Sequence, residues 1–224
     1  PSRDYEKHNR ELKRARRFLK QRSQKTWFEI RLSAVIDPFL EEARQLCEEW
    51  KEIELAASDS GEEVPLCFCH GDYQYHNILR QDRGFFLVNF EKCQADGPVR
   101  DLYLLLRKLL EKSEWDAEWG RVLLAAYESV RPLKPYERQD LVYRLSYPEK
   151  LWKIVNFYYN SGKAWIPEKN QEKLDRLLEQ EAARKKFLKL LLLLKEMQSK
   201  KQITLLKNTD MIALQMIPDW KWTL

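Results

Sequence analysis

HGDYQYHN, residues 70–77, follows the apolar run VPLCFC at 64–69 and precedes, beyond ILR and the turn QDRG, a second apolar run, FFLVNF, at 85–90. Short apolar runs bounded by polar turn residues are the pattern of buried strands. VPLCFC and FFLVNF are therefore predicted to form a small hairpin that holds the intervening loop rigid. A rigidly held loop displays its side chains in fixed positions, which is what a chemical site requires. Asp72 supplies a carboxylate able to orient or deprotonate a hydroxyl, and Asn77 supplies an amide oxygen able to bind a hard cation. A local reading competes with this one: His70 and Asp72 bond backbone amides, and Asn77 sits in a turn.

Outward from the loop the chain reads as helical. Residues 4–22 and 26–56 form two predicted helices. In the second, Trp27, Ile30, Val35, Phe39, Leu46, Trp50 and Ile53 recur near the helical period and predict one buried stripe, with Pro38 as a candidate kink. Downstream, Gly97 and Pro98 precede a helix from Arg100 whose DLYLLLRKLLEK is apolar almost all round and is expected to be buried. Further helices are predicted at 116–130, 135–146, 149–163 and 168–200, punctuated by Pro132, Pro135, Pro148 and Pro167. The expected fold is predominantly α (α+β), with residues 1–202 as one unit and 203–224 as a tail of unknown role.

With 224 residues, 44% hydrophobic and 12% aromatic, the chain has the means to bury a core, so disorder is excluded as its general state. It has six glycines and neither GxGxxG nor GxxxxGK[ST], which excludes Gly-rich phosphate loops. Cys47, Cys67, Cys69 and Cys93 lack the density of a disulfide framework, so they are read as small apolar fillers in a reducing, cytoplasmic setting. Leu190–Leu194, flanked by Lys189 and Lys195, is far shorter than the roughly 20 residues of a membrane span, and no membrane partner is expected. Between Pro167 and Gln202 there are ten Lys and Arg against six Asp and Glu, which accounts for four of the five net positive charges. The acids are interleaved with the bases, with a single aromatic residue, Phe187, among them for bases to stack on. That stretch is read as a solvated helix face, and no nucleic-acid partner is expected.

His70-Gly71-Asp72, four residues, then Asn77 has the spacing of the kinase catalytic loop H-R-D-x-x-x-x-N, with Gly71 in place of Arg. In that loop the Asp contacts the substrate hydroxyl and the Asn holds Mg2+; positioning and charge neutralisation are nearly the whole task. HGDYQYHNIL, FFLVNFEKC and GPVRDLYLLLRK together resemble the aminoglycoside phosphotransferase and choline kinase superfamily. More narrowly, YPEKLWKIVNFYYNSGKAW and the opening YEKHNRELKRARRFLKQRSQKTWFE are similar to the CotS family of spore coat proteins, over about residues 5–190. The resemblance implies the C-terminal lobe of a protein-kinase-like fold, working with ATP and Mg2+ where active. It implies Asp72 as catalytic base, Asn77 as magnesium ligand, Asp101 as a structural acid at a helix start, and His70 as support behind the loop.

Two departures from that pattern point to catalytic impairment. The family's metal-binding Asp on the second strand falls at Asn89, where an amide keeps the shape but loses the charge a divalent cation needs. Glu91 is a substitute ligand if residues 89–91 are extended, since alternate residues then share a face. The second departure is that residues 1–63 do not resemble a β-rich nucleotide-binding lobe. The leading expectation is an impaired, kinase-like protein acting in coat assembly with other coat proteins. The alternative is an active phosphotransferase acting on a hydroxyl of a sugar, amino alcohol or aminoglycoside, with Trp152, Lys163 and Trp165 on the rim of its acceptor pocket.

Overall fold

The computed structural model describes residues 2–59, 66–82, 84–160 and 167–199. Helix α1 (Ser2–Gln21) packs antiparallel-fashion along α2 (Trp27–Asp59), and the turn between them is set by the sequence TWFE. Thr26 Oγ1 accepts the Glu29 amide at 3.3 Å while the Glu29 carboxylate accepts the Thr26 amide at 2.8 Å. This reciprocal capping box starts α2 cleanly, and Arg22 completes it by donating to the fully buried Glu29 at 2.7 Å. Helix α2 runs on through Pro38. Its buried stripe is Phe28, Leu32, Ile36, Phe39, Leu40, Ala43, Cys47 and Trp50, whereas Trp27, Ile30 and Ile53 are exposed. The expected stripe was thus displaced around the helix, because Phe28 and Leu32 face α1 and α6.

Four short strands follow: β1 (Cys67–Cys69), β2 (Ile78–Gln81), β3 (Gly84–Leu87) and β4 (Gln94–Asp96). The expected hairpin between the two apolar runs is not formed. Instead β1 pairs antiparallel with β4, and β2 pairs antiparallel with β3 across the turn at Asp82. The loop is therefore braced by two separate two-stranded ladders. Nor are these strands buried among the described residues: Phe68, Phe85, Phe86 and Phe90 are exposed, and of β1 only Cys69 is covered. Cys67 and Cys69 do share a face, with sulfurs 3.6 Å apart, and all four cysteines are free thiols.

Helices α3 (Val99–Lys112), α4 (Ala117–Val130), α5 (Pro135–Ser146), α6 (Glu149–Asn160) and α7 (Pro167–Ser199) make up the rest of the described chain. Two large apolar clusters form among the described residues, beside a smaller one of Tyr5, Ala43, Cys47, Trp50, Tyr143 and Tyr147. One joins α1, α2, α6 and the start of α7 around Leu12, Phe28, Leu32, Leu151 and Leu174. The other joins α3, α4 and α5 to the later part of α7 around Leu106, Leu110, Leu141 and Phe187. Helix α7 runs through both, and Arg184, buried on it, donates to the Leu145 and Ser146 carbonyls and pairs with Glu42 and Glu181. The β1–β4 ladder is tied to this helical body by charge: Asp96 pairs with Arg100 and with buried Arg144, which also holds Asp140. Among the described residues no helix is long and apolar enough to cross a membrane. The 203–224 tail lies outside the described residues.

Candidate active site

The loop entrance is held by α3. Asp101, in the first turn of that helix, aims its carboxylate back at the loop, where Oδ2 accepts the His70 amide at 2.6 Å and Oδ1 accepts the Gly71 amide at 2.9 Å. The His70 ring, buried, adds a second brace. Its Nδ1 accepts the Asp72 amide at 3.2 Å, so the ring proton sits on Nε2, which donates to the Val88 carbonyl at 2.9 Å. One side chain thus joins the loop to the end of β3. Between them Gly71 has φ of 75°, and an added Cβ would lie 2.0 Å from the Lys92 carbonyl oxygen. Only glycine fits that close backbone approach.

The far end of the loop is a chain of amides. Asn77, buried at the end of a 3-10 turn (Tyr75–Asn77), donates from Nδ2 to the Asp72 carbonyl at 2.8 Å. That bond fixes the amide orientation and leaves Oδ1 pointing at Asn89, whose Nδ2 donates to it at 2.9 Å. Asn89 itself has φ of 66°, in the left-handed region that Asn tolerates better than most side chains. Asp72 has its own cation: Oδ2 accepts from Lys92 Nζ at 2.8 Å, and Oδ1 accepts from Gln74 at 3.1 Å. Partial burial pushes the Asp72 carboxyl up. The Lys92 ammonium, with help from Asn77 and His70, outweighs it and holds the carboxyl below the usual carboxylate range.

Asp72, Asn77 and Asn89 are therefore brought together, and His70 and Asp101 stand behind them. Glu91 is not brought in. Strand β3 ends at Leu87, Asn89 turns the backbone out of the pleat, and Glu91 is an exposed residue at the start of a turn. The extended geometry that would have put residues 89 and 91 on one side is absent. Among the described residues, no three His, Cys, Asp or Glu side chains form a group able to hold a metal ion. Trp152 stacks on His8 with ring centroids 3.5 Å apart and donates to Glu11 at 2.7 Å, so it belongs to the α1–α6 contact. It lines a cavity with Phe18 and Tyr159, separate from the one that reaches Tyr75 of the loop. Lys163 and Trp165 lie outside the described residues. Lys92 was not anticipated: its pairing with Asp72 spans 20 residues and leaves no periodic trace in the sequence.

Known proteins resemble this chain in fold and in sequence. A solved aminoglycoside phosphotransferase from Alicyclobacillus acidocaldarius superposes with a TM-score of 0.74 at 20% identity, covering 87% of this chain and 58% of that one. The fold is accordingly protein-kinase-like, mostly helical with small antiparallel sheets. Spore coat protein S of Bacillus subtilis is 32% identical over 123 residues, 54% of this chain, and the match spans about a third (35%) of that protein's length. The family described as "Spore coat putative kinase YutH" matches residues 41–191, two-thirds of the chain and all of the loop, both ladders and the helices behind them. The chain belongs to the YutH family of kinase-like spore coat proteins.

Proposed function

We propose that this chain is a catalytically impaired phosphotransferase module that serves in assembly of the spore coat. The observation that carries the reading is the Asn77–Asn89 hydrogen bond. A carboxylate at position 89 would set two acceptors, its own oxygen and Asn77 Oδ1, against each other, an arrangement that only a shared cation relieves. Asn89 replaces that requirement with a donor, so the amides satisfy one another and Asn77 Oδ1 is already occupied. Asp72, the nearby carboxylate, is neutralised by Lys92. This donor set is a poor match for Mg2+ and hence for a magnesium nucleotide. Family membership and the coat protein relative support the coat setting, with other coat proteins as partners.

A second reading rests on a different observation. The loop places an ionised Asp72 on a frame of five hydrogen bonds from Asp101, His70 and Asn77, which is the preparation a hydroxyl-orienting base needs. On this reading the protein is an ATP-dependent phosphotransferase for a small hydroxyl-bearing compound. Calorimetric titration of magnesium ATP separates the two, using the wild-type protein and Asn89→Asp. The impaired reading expects no magnesium-dependent heat from wild type and a saturable signal from the variant. Saturable binding by wild type, with ATP turnover that Asp72→Ala abolishes, would establish the active enzyme instead.

A further inference from the structure

A cavity of about 300 Å³ lies between α2, α3, α7 and the start of α6, and Tyr75 of the loop forms part of its wall. Its volume is at the lower end of the range of small-molecule sites, roughly 300–1,000 Å³. The lining is strongly one-signed, with seven cationic side chains and a single carboxylate, Glu111. Glu111 is already shared between Arg107 at 2.5 Å and Lys150 at 3.1 Å. Arg184 is likewise committed to Glu42 and Glu181.

Four cations remain. Among the described residues Lys108, Lys112, Lys173 and Arg176 make no ion pair within 4.0 Å. Lys112 lies 3.7 Å over the Tyr75 ring and Lys173 lies 5.0 Å over Phe157, contacts that leave their N–H donors unspent. Arg107, 5% exposed, also keeps a buried Nε–H without a hydrogen-bond acceptor, with the Glu149 carboxylate 4.0 Å away. Converging like charges with unfilled donors cost free energy that a bound anion recovers. Burial and the Arg107 guanidinium push the Lys108 ammonium below the usual lysine range, against the opposing pull of Glu111. Arg176 is shared with a neighbouring depression of opposite sign, lined by Glu114, Glu172, Asp175 and Glu179. Trp115, Tyr147 and Phe39 supply apolar wall between the charges.

We propose that this cavity binds a small phosphate-bearing compound, held by Lys108, Lys112, Lys173 and Arg176 against the Tyr75 side of the loop. Two sources share that chemistry, a sugar phosphate and a condensed inorganic phosphate. The test is isothermal titration calorimetry of the 224-residue chain at low ionic strength with glucose 6-phosphate, inorganic tripolyphosphate and glucose. Saturable one-to-one binding of a phosphate probe with none of glucose is expected, and the tighter probe identifies the source. In Lys173→Ala/Arg176→Ala, which alters exposed positions only, affinity should fall at least about tenfold, a loss typical of removing charge-assisted contacts. The charge-matched control Lys186→Ala/Lys189→Ala, on the same helix outside the cavity, should bind as wild type. The proposal is overturned if neither phosphate probe saturates, if glucose binds equally, or if the two double variants weaken binding alike. Because the readout is binding and not turnover, it is independent of whether Asp72 is catalytic.

Discussion

The two ends of the 70–77 loop have been built to different standards. At the entrance, Asp101 and His70 secure backbone amides on both sides of Gly71, through bonds that run to α3 and to the end of β3. Every donor there has an acceptor and the one glycine fills a gap that no side chain could share. At the exit, the same loop presents Asn77 to Asn89, two neutral amides that satisfy each other, and hands the Asp72 carboxylate to a mostly exposed lysine. The loop's frame is fully hydrogen-bonded, while the Asn77–Asn89 pair carries no charge. Scaffold residues are held by folding stability as well as by any reaction, so they persist where the reaction is lost. On the proposed reading a metal ligand has no such second reason to remain, and Asn89 stabilises the site by its bond to Asn77 alone.

The largest effect expected from breaking this contrast is at the entrance. Asp101→Ala would leave the His70 and Gly71 amides without their charged acceptor. Hydrogen bonds to a charged group contribute about 1.5–3 kcal/mol each, so a loss of about 4 kcal/mol is expected, read from urea unfolding. Asp101→Asn keeps one acceptor and should cost about half as much. Equal, small losses in both variants would show that the loop does not depend on α3.

Gly71→Ala comes next. The added methyl meets the Lys92 carbonyl and is forced onto a positive φ, so strain of about 2–3 kcal/mol is expected. The relevant signature is local as well as global. Because the Lys92 backbone must retreat, amide exchange should quicken around residues 89–92 and 70–72 before it does in α3. Uniform acceleration across both would mean that Gly71 matters only through overall stability.

Much of this was legible beforehand, and the parts that were not share a cause. Helix starts were readable because Pro135 and Pro167 are local signals, and the loop was readable because its spacing is fixed by chemistry. The ladder pairing was missed because β4 is only the tripeptide Gln94–Asp96, too short for a pattern to betray a strand. The stripe on α2 was displaced because its N-terminal aromatics, Trp27 and Phe28, are adjacent, and only the packing of α1 decides which one turns inward. Glu91 failed as a ligand because of the positive φ at Asn89, a backbone property that residue type hints at but does not dictate. The basic cavity was invisible for the same reason as Lys92: its cations are contributed by α3, α6 and α7, far apart in sequence and interleaved with acids.

The smallest expected effect is the most specific test of the exit. Lys92→Met keeps the side-chain stem and removes the charge that dominates the lowering of the Asp72 carboxyl. The Asp72 titration, followed by NMR, should move up toward the ordinary carboxylate range. A carboxyl whose folded-state pKa is depressed adds stability that is fully present above the unfolded pKa and is lost as pH falls through the folded value. Wild type should therefore exceed the variant at neutral pH, and the difference should vanish in acid. Lys92 is 66% exposed, so that difference is at most about 1 kcal/mol. An unchanged Asp72 titration in Lys92→Met would mean that the amides of the loop, and not the lysine, hold the charge, and would move the brake on this carboxylate from the exit of the loop to its frame.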